Sequence, residues 1–446
     1  MKLTFHGGAR MVTGANYLLE SGDTKILIDC GLHQGSNFCE KHNWEPFPYR
    51  PADIAAVFVT HAHMDHTGRL PKLVRDGFRG TVYATPPTRD AAEFLLRDAD
   101  HILEEEAKRF KQPLLYTNDD ITGLMSRWQG IPYHESVTVG PFRMTLWNAG
   151  HVLGSSSIEV NAEGKTILFS GDLGNTPAPL IGSSEPFTKG ADYCLIESVY
   201  GDRIHENPLA RKEMLEDLIE DTAKAKGVLM IPAFAMERTQ ELLAEMNDLI
   251  EQGRIPPIPV FLDSPLAIRL TDVYRKYTSF LDAESRNRKD DLFNFRGLRR
   301  TLTTEESKAI NDVPPPKIII AGSGMSHGGR ILHHERRYLP DPKSTLLIVG
   351  FQTKGSLGRR LLDGEPEVQL FGERVPVRCH VKAIGGYSAH ADQNQLLAWI
   401  SPMKLGLRKV FVVQGEEEAS EALKERLVDE LALHTEIPAQ DETVIL

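Results

Sequence analysis

Residues 61–66 read His-Ala-His-Met-Asp-His, so four side chains of metal-ligating type, His61, His63, Asp65 and His66, fall within six positions, with Thr67 and Gly68 directly behind. If all four bound one tetrahedral zinc, no coordination position would stay open for a reactant. The run therefore suits a pair of cations better than one. A lone histidine is most often a packed or solvated side chain; four ligand-type residues after an apolar strand and before a small-residue turn are not explained that way. Further ligands must come from elsewhere in the chain, at His or Asp beside glycine where a strand hands over to a loop. His151, after Ala149 and Gly150, and Asp172, after Gly171, meet that description.

The elements that must position these residues follow from the apolar pattern. Buried strands are expected over Ile54–Val59, Met144–Trp147 and Thr166–Phe169, ending just before His61, His151 and Asp172 respectively. Up to residue 205 the chain is rich in strands broken by glycine turns, with one long helix from about Thr88 to Phe110 carrying Phe94, Leu95 and Ile102 on its apolar face. That pattern suits a sheet sandwich flanked by helices. From Asn207 onward helices and strands alternate: Met214, Leu218 and Ile219; then Val228–Ile231; then Leu242, Leu243, Met246 and Leu249; then Val260–Leu262. Such alternation predicts a parallel sheet with covering helices, and Pro314, Pro315 and Pro316 mark a rigid loop within it. After Gly364 the chain is expected to return to the first domain, supplying His390, Gln414 and a last helix from about Glu417 to Leu433. The domain reading is thus 1–205, an insert at 206–364, and a return at 365–446, with the active site expected in the cleft between domains.

The set resembles the metallo-β-lactamase superfamily over nearly the whole chain. Asp29 in Ile-Leu-Ile-Asp-Cys-Gly matches the first motif, His61 to His66 the second, His151 the third and Asp172 the fourth. Glu197 in Glu-Ser-Val-Tyr-Gly, Gly322-Ser-Gly-Met325 with Gly328, Gly329 and Arg330, and Ser388-Ala-His390-Ala-Asp392 resemble the signature of the β-CASP branch, whose members are nucleases. Residues 7–14, Ile231-Pro-Ala-Phe-Ala, Leu262-Asp-Ser-Pro-Leu-Ala and residues 357–364 resemble its RNA-processing members, related to RNase J and the pre-mRNA 3′-end endonuclease. The resemblance implies an α/β fold, an αββα sandwich with an inserted β-CASP domain. It implies two Zn2+, one held by His61, His63 and His151, the other by Asp65 and His66, with Asp172 as the bridge. Asp29 is then expected behind the ligands, accepting an N–H from an imidazole and fixing its tautomer.

One position departs from the pattern. The family ends a late strand with Val-His-Gly-Glu, whose histidine completes the second zinc; here Lys409–Val413 leads into Gln414, Gly415 and Glu416. An amide oxygen suits a hard cation but is a poor zinc ligand beside imidazole. The second position is therefore expected to bind zinc weakly or to accept another divalent metal.

Two cations about 3.5 to 4 Å apart lower the pKa of a bridging water and neutralise charge growing on a phosphoryl oxygen, which suits phosphodiester hydrolysis. They supply no proton to the departing ribose oxygen, so a general acid is needed, typically a histidine. His390 is the candidate, with Glu197, at the end of the strand Tyr193–Ile196, holding it and keeping it protonated. Asp65 joins these two as a candidate catalytic residue. A helix-capping role for His390, ahead of Leu396, Leu397 and Ile400, is the competing reading.

A nuclease must also hold its substrate's backbone. Ser323, Gly324 and Met325 follow the strand Ile318–Ile320 and lead into a helix through Arg330, so backbone N–H groups and an arginine could face a phosphate. Gly355 to Arg360, with Lys354, Arg359 and Arg360, repeats the design, and Ser388 is placed with this group. A tight turn without a ligand competes with that reading. His327, His333 and His334 read as surface residues. Arg286, Arg288, Lys289, Arg296, Arg299 and Arg300 interleave with Phe293 and Phe295, a pattern suited to backbone contact and base stacking, although a solvated loop face is the simpler reading.

The 446 residues, 41% apolar and 25% charged, can bury a large core and divide into two domains. No run approaches the roughly 18 apolar residues of a membrane helix, and the first residues do not resemble a signal peptide. Cys30, Cys39, Cys194 and Cys379 lack CxxC spacing and read as reduced thiols of a cytoplasmic protein. A net charge of −11 counts against a broad electrostatic grip on nucleic acid, so local cationic contacts would have to serve. The expectation is a zinc-dependent ribonuclease acting on single-stranded RNA, internally or from a 5′ end, with no membrane partner and with a homodimer left open. A small-ester or thioester hydrolase and a catalytically weak RNA-binding scaffold are the alternatives.

Overall fold

The computed structural model describes residues 1–35, 39–205, 208–350, 352 and 355–446. Lys354, one of the expected cationic contacts, and Asn207, where the insert's pattern was taken to begin, lie outside them. The described chain forms two compact units, residues 1–204 with 390–446, and residues 205–389.

Among the described residues the first unit holds two seven-stranded sheets. The first sets β1 (Lys2–Gly7), β2 (Asn16–Ser21), β3 (Thr24–Ile28), β4 (Ile54–Phe58), β5 (Thr81–Ala84) and β6 (Trp128–Gly130) side by side, with Thr443–Ile445 added beside β1. The second sets β7 (Ser136–Val139), β8 (Phe142–Asn148), β9 (Ser156–Ala162), β10 (Lys165–Phe169) and β11 (Tyr193–Glu197) in order, then Lys409–Val413 and Thr435–Glu436. Strand alternation decides what each face buries. Ile167, Phe169, Leu195, Phe411 and Val413 point between the sheets and meet Phe5, Ile26, Ile28 and Phe58. The intervening Leu168, Cys194, Ile196, Val410 and Val412 point outward and are covered by Leu396, Leu397 and Ile400 of helix Gln393–Ile400 and by Leu423 and Leu427 of helix Glu417–Leu431. Both faces of these strands are therefore dry, which is why they read as continuous apolar runs. Each fully buried Leu, Ile or Phe contributes roughly 1.5–3 kcal/mol.

In the second sheet β10, β11 and Lys409–Val413 run parallel, with Phe169 opposite Leu195, Leu195 opposite Phe411, and Glu197 opposite Val413. Their carboxyl ends consequently deliver Asp172, Glu197 and Gln414 to one edge. In the first sheet β3 and β4 are also parallel and end in Asp29 and in Thr60–His61.

The second unit carries a six-stranded sheet built from β12 (Val228–Pro232), β13 (Val260–Leu262), β14 (Leu298–Arg300), β15 (Lys317–Ala321) and β16 (Thr345–Ile348), plus β19 (His380–Ala383); the hairpin β17 (Glu367–Leu370) and β18 (Glu373–Pro376) stands apart. Its pairings are all parallel.

Three expectations are altered. The sequence placed the return to the first domain after Gly364, but β19 hydrogen-bonds in parallel to β16, and the second unit runs to Ala389. Helix Pro86–Phe110 buries Ala91, Ala92, Leu96, Ala99 and Leu103; Ile102 is exposed, and Phe94 and Leu95 are only half-buried, because the small alanines form the close-packed stripe. Phe293 and Phe295 are core residues, buried rather than offered for stacking, while Arg288 pairs with Asp248 and Glu251. The four cysteines are buried free thiols. Among the described residues no helix is long and apolar enough to cross a membrane.

Candidate metal centre

The run that follows β4 is threaded against the N-terminal strands. Ala15 donates its N–H to the Asp65 carbonyl at 2.9 Å and Cys30 donates to the His66 carbonyl at 2.9 Å. A Cβ at Gly31 would come within 1.5 Å of the Asp65 carbonyl oxygen, so only glycine permits this approach. Gly174 does the same for the other loops: its Cβ would sit 1.7 Å from the Gly150 carbonyl oxygen, which brings the His151 and Asp172 segments together.

His61, His63, His151 and Asp172 converge. His63 Nδ1 lies 3.1 Å from His61 Nε2 and 3.3 Å from His151 Nε2, and Asp172 Oδ2 lies 3.5 Å from each of His61 and His151 Nε2. A tetrahedral ion with bonds of about 2.0–2.1 Å separates its ligand atoms by roughly 3.3 Å, so these four atoms have the spacing and the donor chemistry of a zinc-type site. A second group shares the same aspartate. His66 Nε2 is 3.3 Å from Asp172 Oδ1 and 3.8 Å from Asp65 Oδ2. Each oxygen of Asp172 thus serves a different group, the arrangement of a bridging carboxylate.

Asp29 stands behind them in a left-handed backbone conformation (φ 60°) that turns its carboxylate back over the strand ends. It accepts from the Thr60 N–H and hydroxyl, each at 2.8 Å, and faces His66 Nδ1 at 2.7 Å. Asp29 thus faces one ring nitrogen of His66 while the other, Nε2, is turned inward to Asp172. Thr60 was not anticipated: its hydroxyl also lies 3.2 Å from His61 Nδ1 and 3.1 Å from His66 Nδ1. Threonine at a strand end is too common to mark such a role. Ser155 is a second such residue, its hydroxyl accepting the His151 N–H at 2.9 Å.

Glu197 and His390 flank the centre. Glu197 is fully buried, and its Oε1 accepts the Leu173 N–H at 2.7 Å and faces His390 Nδ1 at 3.3 Å. His390 Nδ1 is also 3.9 Å from Asp172 Oδ2, and its backbone forms an antiparallel bridge with Gly174. Burial opposes the charged form of His390, but the Glu197 carboxylate outweighs it and holds the imidazole up at about 9. Burial raises the Glu197 carboxyl itself. Asp172 is also penalised by burial, yet His66 and His61 hold it well below the usual carboxylate range. Burial and the adjacent His66 push His61 far down, leaving a neutral imidazole of the kind that ligates metal.

Gln414 reaches into the second group. Its backbone N–H donates to the Gly8 carbonyl at 2.7 Å, its φ is 50°, and its terminal amide nitrogen lies 2.9 Å from Asp172 Oδ1 and 3.0 Å from His66 Nε2.

The residues expected to hold phosphate are all in the second unit. The Ser323 hydroxyl accepts the N–H groups of His327 and Gly328, and the Gly324 carbonyl accepts from Gln352. Met325 accepts the Gly358 N–H at 3.2 Å, and the Ser388 N–H donates to Gly385 at 3.3 Å. Arg330 is not turned to a phosphate: it bonds Asp263 and the carbonyls of Thr301 and Leu302. Arg359 pairs with Asp363 one helical turn on. His334, read as a surface residue, is buried with Nε2 2.7 Å from Asp263, so the Leu262–Asp263 motif is a buried hub for His334 and Arg330.

Comparison with known proteins agrees with this architecture. Residues 11–222 match the metallo-beta-lactamase superfamily, 239–361 the Beta-Casp domain, and 374–438 a Zn-dependent metallo-hydrolase RNA specificity domain. The chain is 37% identical to Ribonuclease TTHA0252 of Thermus thermophilus over 95% of each, and 30% identical to an RNase J-like protein of Methanocaldococcus jannaschii over 98% of each. It is also 29% identical to the transcription termination factor FttA of Methanosarcina mazei, covering 100% of this chain and 72% of that one. A crystal structure of a protein of unknown function from Enterococcus faecalis shares the fold, with a TM-score of 0.62 at 14% identity, covering 100% of this chain and 99% of that one. The chain belongs to the β-CASP branch of the metallo-β-lactamase superfamily.

Proposed function

We propose that the protein is a zinc-dependent ribonuclease that hydrolyses phosphodiester bonds of single-stranded RNA. The observation that carries this reading is the shared position of Asp172, one oxygen facing His61 and His151, the other facing His66, with the Glu197–His390 pair beside it. Divalent ions held there would supply an activated water and neutralise charge on the phosphoryl oxygens.

The chain's own residues do the rest. Asp29 and Thr60 fix the His66 ring so that its Nε2 faces inward. Glu197 keeps His390 protonated, and the imidazolium delivers a proton to the departing ribose oxygen, which would otherwise leave as a poor alkoxide. Backbone groups around Ser323, Gly324, Met325 and Ser388 are the proposed phosphate contacts. Arg330, committed to Asp263, is a brace for that loop. The names of the similar ribonuclease and RNase J-like protein support RNA as substrate.

The test is digestion of end-labelled single-stranded RNA with and without a 5′-monophosphate, alongside elemental analysis of the protein. Metal-dependent cleavage is expected, and the product lengths distinguish internal cutting from stepwise 5′ removal. A fully metal-loaded protein that binds RNA and leaves it intact would overturn the assignment.

A further inference from the structure

The amide of Gln414 occupies a specific chemical position. Asp172 Oδ1, 2.9 Å away, is a carboxylate oxygen, so the amide atom facing it must be the NH2 group, which donates. The same nitrogen lies 3.0 Å from His66 Nε2, the ring atom left facing inward because Nδ1 is turned to Asp29. One amide therefore sits against the two inward-facing ligand atoms that Asp172 and His66 offer to the second cation position.

A cation at that position needs the same lone pairs, so Gln414 must first release them. Rotation of the amide replaces the hydrogen bond donated to Asp172 with a carbonyl oxygen. That oxygen is a ligand for a hard ion such as Mn2+ or Mg2+ and a poor one for zinc. The rotation exchanges the amide oxygen and nitrogen about the last side-chain bond, and only a small cavity bordered by Tyr17, Asp29, Thr60 and Ser170 abuts Gln414. The backbone at 414 is held by the Gly8 carbonyl, so the change is confined to the side chain.

We propose that Gln414 acts as an internal competitor for the second cation, so that the protein keeps one resident zinc at His61, His63, His151 and Asp172 and takes a hard divalent cation at Asp65, His66 and Asp172 only reversibly. This rests on the metal centre proposed above, and the two fail differently. The metal-stripped protein is titrated with Zn2+ by calorimetry, dialysed and analysed for metal content; the one-zinc form is then titrated with Mn2+ and followed by electron paramagnetic resonance. Expected are one zinc per chain after dialysis and a Mn2+ site at least a hundredfold weaker. In Gln414→His, two zinc ions per chain should survive dialysis.

Two equally retained zinc ions in the unaltered protein would overturn the competitor role, as would unchanged stoichiometry in a folded Gln414→His. Absence of any retained zinc would instead sink the metal centre itself. Should the histidine variant not fold, Gln414→Glu serves: a carboxylate cannot donate to Asp172, and Mn2+ affinity should rise at least tenfold, with no rise counting against the proposal.

Discussion

His390 turns its Nδ1 toward Glu197 Oε1 at 3.3 Å while that same oxygen takes the Leu173 N–H at 2.7 Å, so the carboxylate is fixed by backbone before it fixes the imidazole. An imidazolium braced in this way is a proton donor. His390→Ala is expected to lower RNA cleavage by about 10²- to 10⁴-fold. Metal content should stay at the level of the unaltered protein, measured by elemental analysis on the same sample.

The pH dependence follows from the same pair. The His390 imidazole, raised to about 9, is protonated throughout the neutral range. Activity limited by the acid should hold from neutrality upward and fall as pH rises through about 9. Glu197→Gln removes the charge that raises it and should move that descending limb to lower pH, read from kcat–pH profiles.

Because Asp172 faces both ligand groups, Asp172→Asn should weaken both at once. Zinc retained after dialysis is expected to fall below one ion per chain and cleavage to be lost, while a far-ultraviolet circular dichroism spectrum stays native.

Thr60 touches Asp29, His61 and His66 through one hydroxyl. Thr60→Ala removes it and is expected to cost about 10- to 100-fold in metal affinity. Thr60→Ser keeps the hydroxyl and should restore most of that affinity in a competition titration with a chelator.

Glu335 in the second unit is fully buried, with the Ser326 hydroxyl donating to it, and burial pushes its carboxyl up to about 8. The unfolded chain releases that proton near the ordinary glutamate value of about 4.3. Between these values the folded state binds more protons, so stability should decline as pH rises from about 4 through about 8. Glu335→Gln removes the slope and at pH 9 should gain stability, on the order of 5 kcal/mol at most, seen as a shifted urea midpoint.

The ligand run was legible because its four residues are neighbours in sequence and directly follow the strand that aims them. His151 and Asp172 were legible through the glycines beside them, which the structure explains by the close approach of Gly174 to Gly150. What escaped the sequence depends on three-dimensional neighbours. His334 lies on a helix whose exposed and buried faces cannot be told apart until Asp263 is placed against it. Phe293 and Phe295, spaced among arginines, gave no sign of being core. The buried stripe of helix Pro86–Phe110 runs through alanines, whose weak hydrophobicity conceals how closely they pack. The strand His380–Ala383 is short and half-polar, so its place in the second unit's six-stranded sheet, and with it the extension of that unit to Ala389, was hidden.

The side chains of the metal centre are drawn from Asp29 at one end of the sequence to Gln414 at the other, joined through parallel strands that cannot pair until the later one exists. During synthesis, then, the first two hundred residues emerge with most of the candidate ligands yet with neither His390 nor the strand Lys409–Val413. A chain that stops within the second unit therefore lacks both His390 and Gln414, which complete the centre from its carboxyl-terminal side.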